Sequence, residues 1–244
     1  MGIEIIGLTG IPEVQRGDDL AELIRRAAAG ESRPLDRSVI LVVAQKIVSK
    51  SEGAVVDLRT VEPSALAREW ADQWGKDARL IEVILRESRR IVKMDRGVLI
   101  AETRHGFVMA NAGVDQSNVP GEEYVTVLPD DPDASARRLQ NALGCGAVII
   151  ADTFGRPWRE GLVNVAVGVS GLTALEDYRG LPDRCGRPLE STVIALADEL
   201  AAAAGLVMRK AAGAPVALIS GLEWKPAEGS ARALIRPAGQ DLFR

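Results

Sequence analysis

"SVILVVAQKIVSKSEG", residues 38–53, changes character halfway through, and the change governs how the rest of the chain is read. SVILVVAQ is a continuous apolar, β-branched run, the mark of a strand covered on both faces. The second half is polar, with Lys46 and Lys50 four residues apart and Ser49, Ser51 and Gly53 beside them. It reads as a polar turn leading into a second strand, AVVDL. A lysine held at a strand end can grip a phosphate as a point charge; a solvated charged turn accounts for the same residues. A second buried run, GAVIIADT at 146–153, ends in Asp152 and Thr153.

Working outward, IEIIGL (3–8), YVTVLP (124–129) and PVALIS (215–220) read as strands. RIVKM, GVLIAE and GFVMAN read as three more, the last two forming a hairpin around Thr103-Arg104-His105. GDDLAELIRRAAA is a helix with Asp18 suited to the N-cap, and its Leu20, Leu23 and Ile24 share one face. Pro63 opens a helix through Trp74, followed by ARLIEVILRES. Trp70 and Trp74, at i and i+4, read as core packing. DDPDASARRLQNAL carries a helix start, with Asp131 at the N-cap and Pro132 at N1. STVIALADELAAAAGLVM reads as one long helix, while NVAVGVSGL fits either state. There is no internal repeat and no low-complexity linker. Strands and helices mix without a regular βαβ rhythm, which favours an α+β fold of mixed sheets with flanking helices over a doubly wound sheet.

Bulk properties narrow the function. The 244 residues are 47% hydrophobic and 26% charged with net charge −4, which suits a globular chain and gives no general nucleic-acid surface. The start lacks a basic leader pattern, and no apolar run is long enough to span a membrane. Cys145 and Cys185 form no CxxC pair and read as reduced thiols of a cytoplasmic protein. The sole histidine, His105, sits in a Gly-flanked turn, so a Ser-His-Asp mechanism has little to stand on. GxxxxGK[ST] does not occur, and GCGAVI leads into a strand rather than a helix.

The chemistry-bearing signal is a pair of strand-end carboxylates. Asp115 follows FVMANAGV, and Asp152 follows AVIIA. Meeting across a cleft, they would make a hard-oxygen site for Mg²⁺ or Mn²⁺, with Thr153 adding a hydroxyl; as single residues they read equally as turn or helix caps. In DTFGRPWREG, Arg156 and Arg159 surround Trp158, which can cover a planar ring or anchor its loop. From the residues alone a metal-dependent phosphohydrolase and a non-catalytic nucleotide-binding module also stay open.

Taken in order, GIPEV…GDDLAELI, VVAQKIVSKSEG, NAGVDQSNV, LPDDPDASARRL, ADTFGRPWREG, AVGVSGL and ADELAAAAGLV resemble the coenzyme F420-0:γ-glutamyl ligase family, from about residue 5 to residue 222. The resemblance implies a single ligase domain over residues 1–244 and an intertwined α+β homodimer. It implies a GTP-dependent ligase that adds L-glutamate to coenzyme F420-0 through an acyl phosphate, using Mg²⁺ or Mn²⁺ with K⁺ as a helper. Metal ligands are carried over onto Asp115, Asp152 and Thr153. Nucleotide contacts are carried over onto Ile11, Pro12, Glu13, Val14, Gln45, Lys46, Lys50 and Asn118, and Asp115, Asp152 and Lys50 take the catalytic roles. Some members have small hydroxyl residues where this chain has Gln45 and Lys46, and a further Glu ligand near where it has Arg209. Fewer carboxylates around the metal are therefore expected here.

Overall fold

The computed structural model describes residues 2–117, 121–209 and 213–241. In chain order its elements are β1 (Glu4–Leu8), α1 (Leu20–Gly30), β2 (Ile40–Ala44), α2 (Gln45–Glu52), β3 (Val55–Asp57), α3 (Ala65–Trp74), α4 (Ala78–Glu87), β4 (Ser88–Asp95), β5 (Val98–Thr103), β6 (Val108–Ala110), β7 (Tyr124–Thr126), α5 (Pro132–Leu143), β8 (Ala147–Arg156), β9 (Arg159–Ser170), β10 (Glu176–Asp177), β11 (Val193–Ile194), α6 (Leu196–Ala204) and β12 (Val216–Ser220). This is the expected α+β architecture of mixed sheets and flanking helices.

The main sheet runs β1-β12-β2-β8-β9. β2 and β8 are parallel, in register from Ile40↔Ala147 to Ala44↔Ala151, and every other pairing is antiparallel. The two runs that read as doubly covered strands are those two, and Leu41, Val42, Ile149 and Ile150 have no exposed surface. α5 packs on β8 and β9, α1 packs on α5, and α6 touches strands across the sheet. A second core forms where α3 and α4 meet the β4-β5-β6 meander and the β3–β7 pair, around Leu58, Trp70, Ile81, Ile84, Leu99 and Val125. Trp70 and Trp74 pack there, as their spacing predicts.

Several local expectations are corrected. KIVSKSEG is not a turn but most of helix α2, which Gly53 stops in a left-handed conformation (φ +78°). α1 is capped by Asp19, which accepts from Glu22 N; Asp18 instead accepts from Gln15 N. α6 is shorter than its apolar pattern suggests, because Val193–Ile194 pair with Glu176–Asp177 before the helix begins. Of the ambiguous NVAVGVSGL, residues 164–170 belong to β9, which ends at Ser170. A Cβ at Gly168 would lie 2.4 Å from the Pro132 carbonyl oxygen, so glycine there marks a close backbone approach rather than a break. Asp131 caps α5 with Pro132 next, as expected.

Candidate active site

A cavity of about 900 Å³ lies beside the ends of β2 and β12, where the main sheet meets the second core. Ile11, Pro12, Glu13 and Val14 form one wall, Gln45, Lys46 and Lys50 the next, Asp115 the third, and Asp152 and Thr153 the fourth. Every predicted metal or nucleotide contact among the described residues borders this space, whereas Arg156, Trp158 and Arg159 do not. Asn118 lies outside the described residues.

α2 explains the second wall. β2 ends at Ala44, whose N–H donates to the Pro215 carbonyl at 2.9 Å, and the helix starts at once. Helical spacing then stacks Lys46 with Lys50 and Gln45 with Ser49. Lys50 is buried, and its ammonium pairs with the exposed carboxylate of Glu13. A buried ammonium needs such a partner.

Asp115 is delivered by unusual backbone. Asn111, Ala112 and Gly113 are consecutively left-handed, with φ of +53°, +50° and +76°. For the two non-glycine residues this conformation costs about 1–3 kcal/mol each. The turn ends as Asp115 bridges Thr126 through two backbone hydrogen bonds of 3.0 and 2.9 Å. Its Oδ1 accepts from Ser117 N at 2.6 Å, and its Oδ2 pairs with Lys46 Nζ at 2.7 Å. Burial alone would raise the Asp115 pKa, but the Lys46 ammonium and the Ser117 N–H outweigh it and hold the carboxyl below its usual value.

Asp152 differs. It is not at a strand end, because β8 continues to Arg156. It marks where β8 outruns β2, whose pairing stops at Ala44↔Ala151. Beyond that point only β9 flanks the strand, and the carboxyl reaches the cavity. Burial pushes its pKa up to about 6; the Thr153 N–H opposes this, the charge on Asp115 adds to it, and Lys46 and the Gln45 amide pull it down. Thr153 Oγ1 donates to Asn164 Oδ1 at 3.1 Å. Sequence reasoning missed Asn164, which also borders the cavity. Its pairing with Thr153 is visible only once DTFGRPWREG is known to be one β8–β9 ribbon turning at Pro157-Trp158. His105 is a turn residue, as expected, with Nε2 2.9 Å from the Pro129 carbonyl oxygen.

The donor set suits a hard cation. Asp115 already holds an ammonium as a stand-in positive charge, and Asp152 carries the strain of a nearby like charge. Among the described residues no three His, Cys, Asp or Glu side chains gather to form a closed metal site. Two carboxylates facing an open cavity are what Mg²⁺ uses when substrate phosphates and water complete its shell. No helix among the described residues is long and apolar enough to cross a membrane.

Comparison with known proteins now decides the family. Residues 9–221 match the model for F420-0:gamma-glutamyl ligase. The chain belongs to that family. It is 48% identical over 252 residues to the coenzyme F420:L-glutamate ligase of Methanothermobacter thermautotrophicus, covering 100% of both chains. The Methanopyrus kandleri ligase of the same name is 47% identical over 256 residues, covering 100% of this chain and 99% of that one. The Methanocaldococcus jannaschii ligase is 42% identical over 250 residues, covering 99% and 97%. The stretches that carry the resemblance to the family in the sequence include those that form the cavity walls.

Proposed function

We infer that this chain is a coenzyme F420:L-glutamate ligase of F420 biosynthesis, joining L-glutamate to coenzyme F420-0 with cleavage of GTP. The observation that carries the reading is the convergence of four distant stretches, 11–14, 45–50, 115 and 152–153, on one cavity that pairs carboxylates with lysines. The family membership and the full-length relatives support it.

In this reading the triphosphate lies along the N-terminal half of α2. Lys50 exchanges its contact with Glu13 for phosphate oxygens, and Lys46 turns from Asp115 to the same group. Ile11, Pro12, Glu13 and Val14 border the nucleotide. Asp115, Asp152 and Thr153 would hold Mg²⁺ or Mn²⁺, which supplies Lewis-acid charge neutralisation to phosphoryl oxygens. The γ-phosphoryl group passes to the acceptor's lactyl carboxylate, leaving GDP and an acyl phosphate. The glutamate amine attacks that carbonyl and inorganic phosphate departs. An intertwined homodimer belongs to the same reading. The β8–β9 ribbon supports it, since it extends past its sheet neighbours and carries Trp158, 78% exposed, at its tip; sedimentation velocity tests it.

The test is product mass after incubation with GTP, Mn²⁺, K⁺, F420-0 and L-glutamate. A glutamate-dependent mass gain on the deazaflavin is expected. GDP release without that gain would identify a phosphohydrolase, and nucleotide binding with no turnover a binding module.

A further inference from the structure

Gln45 is only 1% exposed, and its Nε2 faces the Asp152 carboxyl without meeting it, or any other described group, at full hydrogen-bond geometry. The other end of the amide explains why. Oε1 lies 2.8 Å from Ser49 Oγ, and the same hydroxyl lies 2.7 Å from the Val127 carbonyl oxygen. A hydroxyl has one hydrogen, and both neighbours are acceptors. One contact is therefore unsatisfied, while the amide hydrogens make no more than a loose approach to Asp152.

Turning the amide by 180° about its last torsion removes every conflict on that side. Nε2 then donates to Ser49 Oγ, and Ser49 donates to the Val127 carbonyl. The turn also places Oε1 where Nε2 stood, close to Asp152. An amide oxygen facing a carboxylate is unfavourable unless a positive charge lies between them. With Asp152 ionised, the hydrogen-bond logic of one end thus calls for a cation at the other; a protonated Asp152 would instead donate its own hydrogen to Oε1.

We infer that Gln45 ligates the divalent cation through Oε1, alongside Asp115 and Asp152. The inference rests on the metal site of the proposed function and adds a donor to it. An amide oxygen is a hard ligand without charge. It completes a site of two carboxylates and leaves a doubly charged cation neutralised. Ser49 is then a positioning residue that fixes which end of the amide faces the metal.

The test is a Mn²⁺ titration read by the electron paramagnetic resonance of the free ion, with GDP present. Gln45→Met, similar in length but lacking the oxygen, is expected to raise the Mn²⁺ dissociation constant roughly tenfold. Gln45→Glu is expected to bind at least as tightly as the unaltered chain. Asp152→Asn is the control for the site itself. Weakened binding in Asp152→Asn with no change in Gln45→Met overturns the assignment of Gln45 and leaves the metal site standing; no change in either overturns the metal site and the inference with it. Thermal melting shows that each variant is folded. Should Gln45→Met not fold, a structure of the unaltered chain with Mg²⁺ decides the question. Oε1 within about 2.1 Å of the ion supports the inference, and Nε2 facing the ion or the nucleotide overturns it.

Discussion

Asp115 and Asp152 border the same cavity but are held by opposite kinds of backbone. Asp152 belongs to the main sheet, fixed by β9 and by the buried register of β2 and β8 just before it. Asp115 hangs from a left-handed turn, steadied by a single bridge to Thr126 and by Lys46. The rigid carboxylate is the destabilised one, with its pKa raised. The one on strained backbone is relaxed electrostatically, with its pKa lowered. A cation binding both would relieve the first and displace the lysine from the second. Removing either carboxyl should therefore have the largest effect. Asp115→Asn and Asp152→Asn are each expected to lower turnover by more than about 10²-fold, the upper range for a residue that merely supports a metal ligand. Full turnover in a folded Asp115→Asn chain would take that residue out of the site.

The contrast sharpens in metal-free protein, where the two residues should have opposite pH signatures. The Asp152 carboxyl moves from 3.8 to about 6 on folding. Its protonated form is favoured by the fold, so its contribution to stability is complete below pH 4 and is lost as pH rises through 6. At pH 7 the ionised group costs up to about 3 kcal/mol. Asp152→Asn, expected to have lost most of its turnover, should then be more stable than the parent in EDTA at pH 7 and lose that advantage at pH 4. Asp115, with a lowered pKa, contributes stability above its unfolded value and loses it as pH falls. Urea midpoints measured across that range read both. A parent and an Asp152→Asn variant with parallel pH profiles would show that Asp152 carries no such penalty.

The rigid half is also the legible half. ILVVA and AVIIA announce themselves because a strand buried on both faces has no polar alternation, and Asp131-Pro132 announces α5 because a cap and a fixed φ act locally. α2 reads as a turn because only eight residues form it and its buried side includes Gln45, Ser49 and Lys50, polar residues that the site needs inside. Gly53 and the i, i+4 lysines are the available signal. Asp152 looks like a strand end because the continuous apolar run stops there, yet pairing with β9 continues past it with only Phe154 packed against the core. The turn at Asn111–Gly113 leaves only a run of small residues as its trace. Convergence of the four walls is a tertiary fact, and no local pattern encodes it; the family resemblance supplies the site residues instead.

That turn offers a direct probe of the flexible half. Gly113→Ala would place a Cβ 2.9 Å from Leu128 Cγ at a φ of +76°. Strain and contact together should cost roughly 2 kcal/mol. The loss should appear as a lower urea midpoint, with Mn²⁺ binding weakened because Asp115 is misplaced. Unchanged metal affinity would mean that the bridge to Thr126 positions Asp115 without help from the turn.

The smallest effects should come from the lysine wall, where each cation already has a carboxylate. Lys50→Ala removes a buried charge that phosphate is expected to claim, and about tenfold weaker GTP binding should result, the lower end for a charge-assisted hydrogen bond. Glu13→Gln separates the two roles of that lysine. The Glu13 side chain is 61% exposed, so water screens its end of the pair and can replace part of what the carboxylate gives the buried ammonium. Neutralising Glu13 also frees Lys50 from a competitor for phosphate. GTP affinity measured by calorimetry should therefore stay level or rise slightly in Glu13→Gln while it falls in Lys50→Ala. A matching fall in both would mean that nucleotide binding needs the ion pair intact, and that Glu13 holds Lys50 in place rather than yielding it.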